Sequence, residues 1–224
     1  MEIEEALDYR FRNADILREA LTHKSYHHEN PELSASHNER LEFLGDTVLG
    51  LIISEQLYMI EPQLTESEMA RIKSYLVSGT VLSEIANDLG LGSHIKLGKG
   101  EIDTGGREKG SILSDCMEAL LGAVYMDGGF DNARQSILYI YGDTIQEALD
   151  ENKYLDHKTV LQELTQKKYG VLPVYRKKAE IGLEHDKTFT VIVSINGEVM
   201  GEGSGPSKKK AETEAAKDAL SRIT

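Results

Sequence analysis

Apolar residues recur at helical spacing through the first two thirds of the chain. Steps of three and four residues place them on one helix face in four segments: 16–21, 41–57, 69–86 and 112–125. Turn signals such as Asn30-Pro31 separate the segments, and Thr65 with Glu68 can cap the third helix. Residues 97–110 hold five glycines and few apolar residues, which predicts an exposed, mobile loop. Residues 1–151 are therefore predicted to form a mainly helical domain.

The pattern changes in residues 154–224, which are predicted to form a second domain. Residues 156–169 have helical periodicity, whereas residues 188–195 alternate strictly between apolar and polar positions. Asn196-Gly197 is a strong hairpin signal, and residues 198–201 are expected to form the return strand. A last helix over 208–222 has an inner face of alanines that would let it lie close to a sheet. This domain is predicted to be α+β.

The two domains differ in charge. Residues 1–151 carry a net charge of −16 and residues 152–224 a net charge of +3, which together give the −13 of the whole chain. Such asymmetry suggests two modules with different partners. An acidic module that acts on a polyanion would need metal ions to mediate the contact.

Cysteine count and hydropathy exclude several classes of protein. The single cysteine, Cys116, excludes a disulfide framework and a multi-cysteine zinc site. The longest apolar run, 48–53, is too short to span a membrane, and the acidic N-terminus does not resemble a secretory signal. We therefore expect a cytoplasmic protein with no membrane partner.

Two predicted helices carry carboxylates on one face. Glu39, Glu42 and Asp46 fall within an arc of about 60° on the first helix. The opposite side carries apolar residues that are expected to be buried: Leu41, Leu44, Val48, Leu51 and Ile52. In the second helix, Asp115 and Glu118 stand three residues apart, with apolar residues again opposite.

These acids have two interpretations. A solvated helix face is the commoner origin of such a stripe. However, like charges at this spacing repel each other, so clusters of acids are usually neutralised by a partner. Gly45 and Gly122 lie beside the acids in helix interiors, which suggests close approach by another backbone or a ligand. Oxygen ligands without His or Cys favour Mg²⁺ or Mn²⁺, and two such ions can catalyse phosphodiester hydrolysis.

The segment Asn38-Glu-Arg-Leu-Glu-Phe-Leu-Gly-Asp46 resembles the signature of the ribonuclease III family, and Asp115-x-x-Glu118 resembles the family's second motif. The resemblance implies a mainly α endonuclease domain followed by an α-β-β-β-α double-stranded-RNA-binding domain. It also implies metal ligation by Glu42, Asp46, Asp115 and Glu118, with Asp46 and Glu118 as the catalytic pair. Glu39 and Glu66 match two further acids near the cleavage centre.

The C-terminal module carries a basic helix start. Ser207 is a predicted N-cap, and Lys208, Lys209 and Lys210 follow it, placed to contact phosphates. Three lysines in isolation are more often a solubilising patch, but lysines at a helix N-terminus oppose the helix dipole unless an anion is bound. The pattern resembles the double-stranded-RNA-binding motif, in which Gln162, Glu163 and His185 would meet 2′-hydroxyl groups in the minor groove.

We therefore expect a Mg²⁺-dependent endoribonuclease, with Mn²⁺ as a substitute, that cuts double-stranded RNA. The family resemblance implies a homodimer that leaves 5′-phosphates, 3′-hydroxyls and short 3′ overhangs during rRNA, mRNA and tRNA processing. Phe43 lies off the main apolar stripe and is expected to pack into the partner subunit. The alternatives are a non-catalytic regulator that binds double-stranded RNA and a hydrolase of small phosphoesters.

Overall fold

The computed structural model describes residues 3–34, 36–60, 63–151, 157–182 and 187–223. The chain divides into two compact units, Met1–Tyr154 and Leu155–Thr224. The helices described in the first unit are α1 (Ile3–Ala6), α2 (Ala14–Ala20), α3 (Lys24–Glu29), α4 (Glu39–Tyr58), α5 (Glu66–Leu76), α6 (Gly79–Asp88), α7 (Lys99–Asp103), α8 (Gly110–Gly128) and α9 (Phe130–Glu151). Across the described residues, no helix is both long enough and apolar enough to cross a bilayer.

Helix α8 runs through the centre of the first unit. Its residues Leu113, Met117, Leu120 and Val124 have no exposed surface, and α4 contributes Leu49, Ile52 and Ile53 to the same core. Helix α5 begins at the predicted cap, where the Glu68 amide donates to Thr65 Oγ1 and the Thr65 amide donates to Glu68 Oε2. The predicted cap and the apolar faces of α4 and α8 are confirmed. The single helix expected over 69–86 is wrong, because α5 ends at Leu76 and Ser78 caps a new helix, α6, by accepting from the Val81 amide.

Helices α4 and α8 cross in backbone contact at two glycines. A Cβ atom built on Gly45 would lie 1.8 Å from the carbonyl oxygen of Glu118. A Cβ atom built on Gly122 would lie 2.3 Å from the carbonyl oxygen of Leu41. Since any side chain at either position would force the helices apart, the close approach suggested by these glycines is that of another backbone.

Two further expectations for the first unit differ from the structure. Leu51 is 56% exposed rather than buried, because it lies on the side of α4 that turns away from α8, as does Phe43 at 79% exposed. Residues 99–110 are mostly exposed, as expected, but the segment 97–110 is not a loop throughout. They form α7 and a 3₁₀ turn, Gly106–Glu108, and the Arg107 guanidinium donates to the carbonyl groups of Gly92 and Ile95 at 2.7 and 3.0 Å. Hydrogen bonds from an arginine side chain to backbone carbonyl groups produce no hydrophobic pattern in the sequence. The structure of this segment therefore could not be predicted from periodicity.

The second unit has the predicted α-β-β-β-α order. It consists of α10 (His157–Tyr169), β1 (Val174–Ile181), β2 (Thr188–Ile195), β3 (Glu198–Gly205) and α11 (Lys208–Ile223). The strands form one antiparallel sheet in the order β1-β2-β3. The predicted hairpin is present, since Asn196 and Gly197 both have positive φ angles, 52° and 85°, as a type I′ turn requires.

Helix α11 packs on the sheet through very small residues. Its Ala211, Ala215, Ala216 and Ala219 have no exposed surface. On β3, a Cβ atom at Gly203 would lie 2.1 Å from the amide nitrogen of Ala215. The alanine face lies close to the sheet, as the sequence predicts. The return strand was expected to end at Gly201 but continues to Gly205, so its glycines belong to β3. The fold class of both units is confirmed.

We predict that Gly45→Ala lowers the melting temperature of the protein, because the added methyl group collides with the α8 backbone. Overpacking at such a contact costs about 2 kcal/mol, which corresponds to a fall of about 5 °C. Gly142→Ala is the matched control. Gly142 lies within α9, is exposed and has no atom within 4 Å of the point that a Cβ would occupy, so alanine there should stabilise the helix by up to about 1 kcal/mol. Equal melting temperatures for Gly45→Ala and the wild type would contradict the close crossing.

Candidate active site

The crossing of α4 and α8 brings acids from the two sequence motifs together. Glu42 projects from α4, and Asp115 and Glu118 project from α8. One carboxylate oxygen from each of the three lies within 4.8 Å of the others, and all three side chains are half-buried. Because the two backbones are in contact at Gly45, carboxylates from separate helices can lie within 4.8 Å of each other.

Burial and mutual repulsion perturb the central carboxyl group. Burial is the largest cause that raises the pKa of Glu118 to about 7, and the charges of Asp46, Glu42 and Asp115 raise it further. Burial also raises the pKa of Glu42, with Asp115 as the largest charged contributor. The Glu118 carboxyl is therefore partly protonated near neutral pH unless a cation compensates the negative charge around it.

Asp46 occupies a different place from the other three acids. It lies one turn after Glu42 on α4 and is exposed. It does not belong to the group of oxygens within 4.8 Å, yet among the charged neighbours it raises the pKa of Glu118 the most. The structure thus places Asp46 at the edge of the cluster and the other three acids at its centre.

The two supporting acids lie outside the central group. Glu39 is exposed at the start of α4, where Lys24 Nζ donates to its Oε1 at 2.9 Å, and this hydrogen bond lowers the pKa of Glu39. Glu66 is the exposed first residue of α5. The sequence does not indicate the ion pair between Lys24 and Glu39, because Lys24 lies 15 residues away in a segment without a chemical motif.

The donor set suits a hard divalent cation. Three carboxylates from two rigid helices converge, and burial together with their mutual repulsion raises the pKa values of Glu42 and Glu118. Mg²⁺ and Mn²⁺ prefer such oxygen ligands and leave coordination positions open for water and phosphate. The Ser114 hydroxyl donates to Asp115 Oδ1 at 3.3 Å.

The second unit presents the predicted nucleic-acid contacts on two helices. Lys208 and Lys209 are exposed in the first turn of α11, where Ser207 Oγ accepts from the Lys210 amide at 3.2 Å. Gln162 and Glu163 are exposed on α10. His185, the remaining predicted contact, lies outside the described residues.

One contact between the helices of the second unit was not foreseen. Lys158 of α10 donates to the Glu212 carboxylate of α11, and its ammonium group also lies 4.9 Å from the centre of the Tyr175 ring. Glu212 therefore neutralises a lysine of the unit itself. This interaction ties together the two helices that carry the predicted RNA contacts.

Sequence comparisons cover both units. Residues 13–144 match the family profile described as Ribonuclease-III-like, and residues 157–223 match the double-stranded RNA binding motif. The chain is 46% identical to a protein named Ribonuclease 3 from Natranaerobius thermophilus over 209 residues, which are 93% of this chain and 90% of that protein. A Ribonuclease 3 from Borreliella burgdorferi is 44% identical over 96% of this chain and 88% of its own length.

A solved structure supports the assignment of the first unit. The nuclease domain of ribonuclease III from Campylobacter jejuni, described for flexibility in a region involved in its dimer formation, is 38% identical with a TM-score of 0.57. The match covers 62% of this chain and 94% of that domain. The helical fold, the crossed acidic helices and these matches agree, and the chain belongs to the ribonuclease III family of endoribonucleases, which act on double-stranded RNA.

Proposed function

We propose that the acidic cluster hydrolyses phosphodiester bonds of double-stranded RNA with Mg²⁺, for which Mn²⁺ can substitute. The observation that carries this proposal is the convergence of Glu42, Asp115 and Glu118 at the crossing of α4 and α8. Three half-buried carboxylates without a divalent partner are costly to hold ionised, which explains why Glu118 has a pKa of about 7. A bound catalytic metal ion would offset that cost, which explains why the three acids lie together.

Each acid has a distinct part in this mechanism. Glu42, Asp46, Asp115 and Glu118 are proposed to hold the ion, with Asp46 reaching it from the edge of the cluster, and Asp46 and Glu118 are the proposed catalytic pair. When bound, the ion supplies an activated water and stabilises the leaving oxygen. The Glu118 carboxyl releases its proton to solvent when a cation binds, so binding is favoured as the pH rises through about 7. Glu39 and Glu66 are proposed to support the cleavage centre from outside the ligand group.

The second unit would hold the duplex by shape rather than by sequence. A-form RNA presents 2′-hydroxyl groups in a wide, shallow minor groove, and its deep major groove hides the base edges. Gln162, Glu163 and His185 are proposed to meet those hydroxyls. Lys208 and Lys209, with the amide groups at the start of α11, would contact phosphates. The domain boundaries proposed from the sequence, 1–151 and 154–224, assign cutting and holding to separate modules.

Cutting both strands of a duplex requires two active sites, which a symmetric dimer supplies. Phe43, Leu51 and Tyr58 are 79, 56 and 73% exposed on α4, and they are proposed to form the contact between subunits. A stripe of large apolar side chains with this exposure is typical of an interaction surface. The two sites together would leave 5′-phosphates, 3′-hydroxyls and short 3′ overhangs. The proposed role is cytoplasmic processing of rRNA, mRNA and tRNA.

Glu118→Gln tests the chemistry separately from binding. The amide keeps the shape of the side chain but removes its negative charge, so metal affinity should fall and cleavage should slow by several orders of magnitude. Binding of duplex RNA should be unchanged, because the second unit is untouched. A gel shift and a cleavage assay on the same duplex measure both effects. Near-normal cleavage by Glu118→Gln in limiting Mg²⁺ would remove Glu118 from the site, and binding without cleavage by the wild type would favour the non-catalytic regulator.

The double variant Lys208→Ala, Lys209→Ala tests the phosphate contacts. Loss of two of them should weaken duplex binding at physiological salt and flatten the dependence of log affinity on log salt by about 1.5. Fluorescence anisotropy across a salt series measures the slope. Lys217→Ala, on a later turn of the same helix and also exposed, is the control and should change the slope less. An unchanged slope in the double variant would place the phosphate contacts elsewhere.

Phe43→Asp tests the proposed subunit contact. A carboxylate in a desolvated apolar contact is strongly disfavoured, so light scattering should show a monomer where the wild type forms a dimer. Ile181→Asp is the control, since Ile181 is 70% exposed but lies on β1 of the second unit. A wild-type monomer at micromolar concentration, or a Phe43→Asp variant that still dimerises, would exclude this interface.

A further inference from the structure

A lysine from a third helix lies beside the acidic cluster. Lys24 is the first residue of α3, and its Nζ donates to Glu39 Oε1 at 2.9 Å. Glu39 precedes Glu42 by one turn of α4. The charges of Glu42 and Asp115 add to the effect of Glu39 in raising the pKa of Lys24. The ammonium group therefore lies within electrostatic range of two of the three central acids.

The backbone that carries Lys24 is fixed on both sides. The His23 amide donates to the carbonyl oxygen of Lys96 at 3.1 Å. The Ser25 amide donates to His23 Nδ1 at 3.2 Å, and the Ser25 hydroxyl accepts from the Gly98 amide at 2.9 Å. Because the residues before and after Lys24 are both held, its side chain starts from a defined position beside α4.

Stability alone does not account for a lysine at this place. The side chains of Lys24 and Glu39 are 53 and 48% exposed, and ion pairs with such exposure contribute little to folding. An ammonium group has three N–H donors, and Glu39 accepts one of them. Since half of the Lys24 side chain faces solvent, the other two donors are accessible to an anion that approaches the acids.

We propose that Lys24 contacts a phosphate group of duplex RNA at the cleavage centre, an inference that rests on the proposed function of the acidic cluster. A phosphate must approach a unit whose net charge is −16 over residues 1–151, and Lys24 supplies a positive charge where that approach ends. Its ammonium group would donate to a non-bridging phosphate oxygen while it keeps the ion pair with Glu39. The same contact would stabilise negative charge that develops during hydrolysis.

Substitution of Lys24 tests this contact in the full chain. Lys24→Ala should lower kcat/KM for cleavage of a duplex by about 10- to 100-fold, the effect of losing a hydrogen bond to a charged group. Lys24→Arg should keep most of the rate, because a guanidinium group also binds phosphate. Arg18→Ala is the matched control and should change kcat/KM little. Arg18 is an exposed cation in an ion pair with Asp15, away from the acids.

Two further measurements separate a phosphate contact from an indirect effect. If Lys24 acts on the RNA itself, Lys24→Ala should also slow cleavage by a similar factor when Glu39→Gln is already present. Without RNA, the Lys24→Ala protein should bind Mn²⁺ at least as tightly as the wild type in an electron paramagnetic resonance titration, since a nearby positive charge is removed. Retained Mn²⁺ binding also shows that the variant is folded.

The outcomes distinguish this inference from the proposed function. A wild type that binds duplex RNA and Mn²⁺ without cleavage would overturn both. Wild-type cleavage by Lys24→Ala would overturn the phosphate contact alone. An equal loss in Lys24→Arg and Lys24→Ala, no further loss in the Glu39→Gln background, or Mn²⁺ affinity that falls in parallel with the rate would overturn it as well.

Discussion

The backbone contact between α4 and α8 determines how the candidate active site can form. Two glycines, Gly45 and Gly122, allow a separation at which a methyl group would overlap the opposing carbonyl oxygen. Each glycine lies within one turn of an acid, so the same contact that closes the core also brings Glu42 toward Asp115 and Glu118. A wider crossing, filled by ordinary side chains, would separate the carboxylates of the two helices.

Without a cation, the three neighbouring acids lower the stability of the folded protein. Apolar packing by α8 holds the three acids half-buried, where desolvation and repulsion raise the pKa values of Glu42 and Glu118. The helices do not relax apart, because the core formed by Leu113, Leu120 and Ile52 lies directly behind the acids. The rigid frame therefore maintains a concentrated negative charge that a flexible loop would disperse.

In the second unit, small residues likewise allow two elements to pack closely, here a helix and a sheet. Alanines of α11 meet glycines of β3, so helix and sheet approach closely and the polar face of α11 remains outside. Ser207 then caps the helix, and Lys208 and Lys209 project from its first turn. In both units, small residues in the interior determine where the charged residues stand.

The sequence by itself determined the properties that depend on local periodicity. The helices, the Asn196-Gly197 hairpin, the capping box at Thr65 and the acidic faces of two helices follow from spacing that a short segment contains. Only the tertiary structure decided properties that depend on distant neighbours. It exposes Leu51, orders residues 97–110 through Arg107, separates Asp46 from the central acids and brings Lys24 beside Glu39. Distances and burial between separate segments arise from packing, for which a linear pattern contains no direct signal.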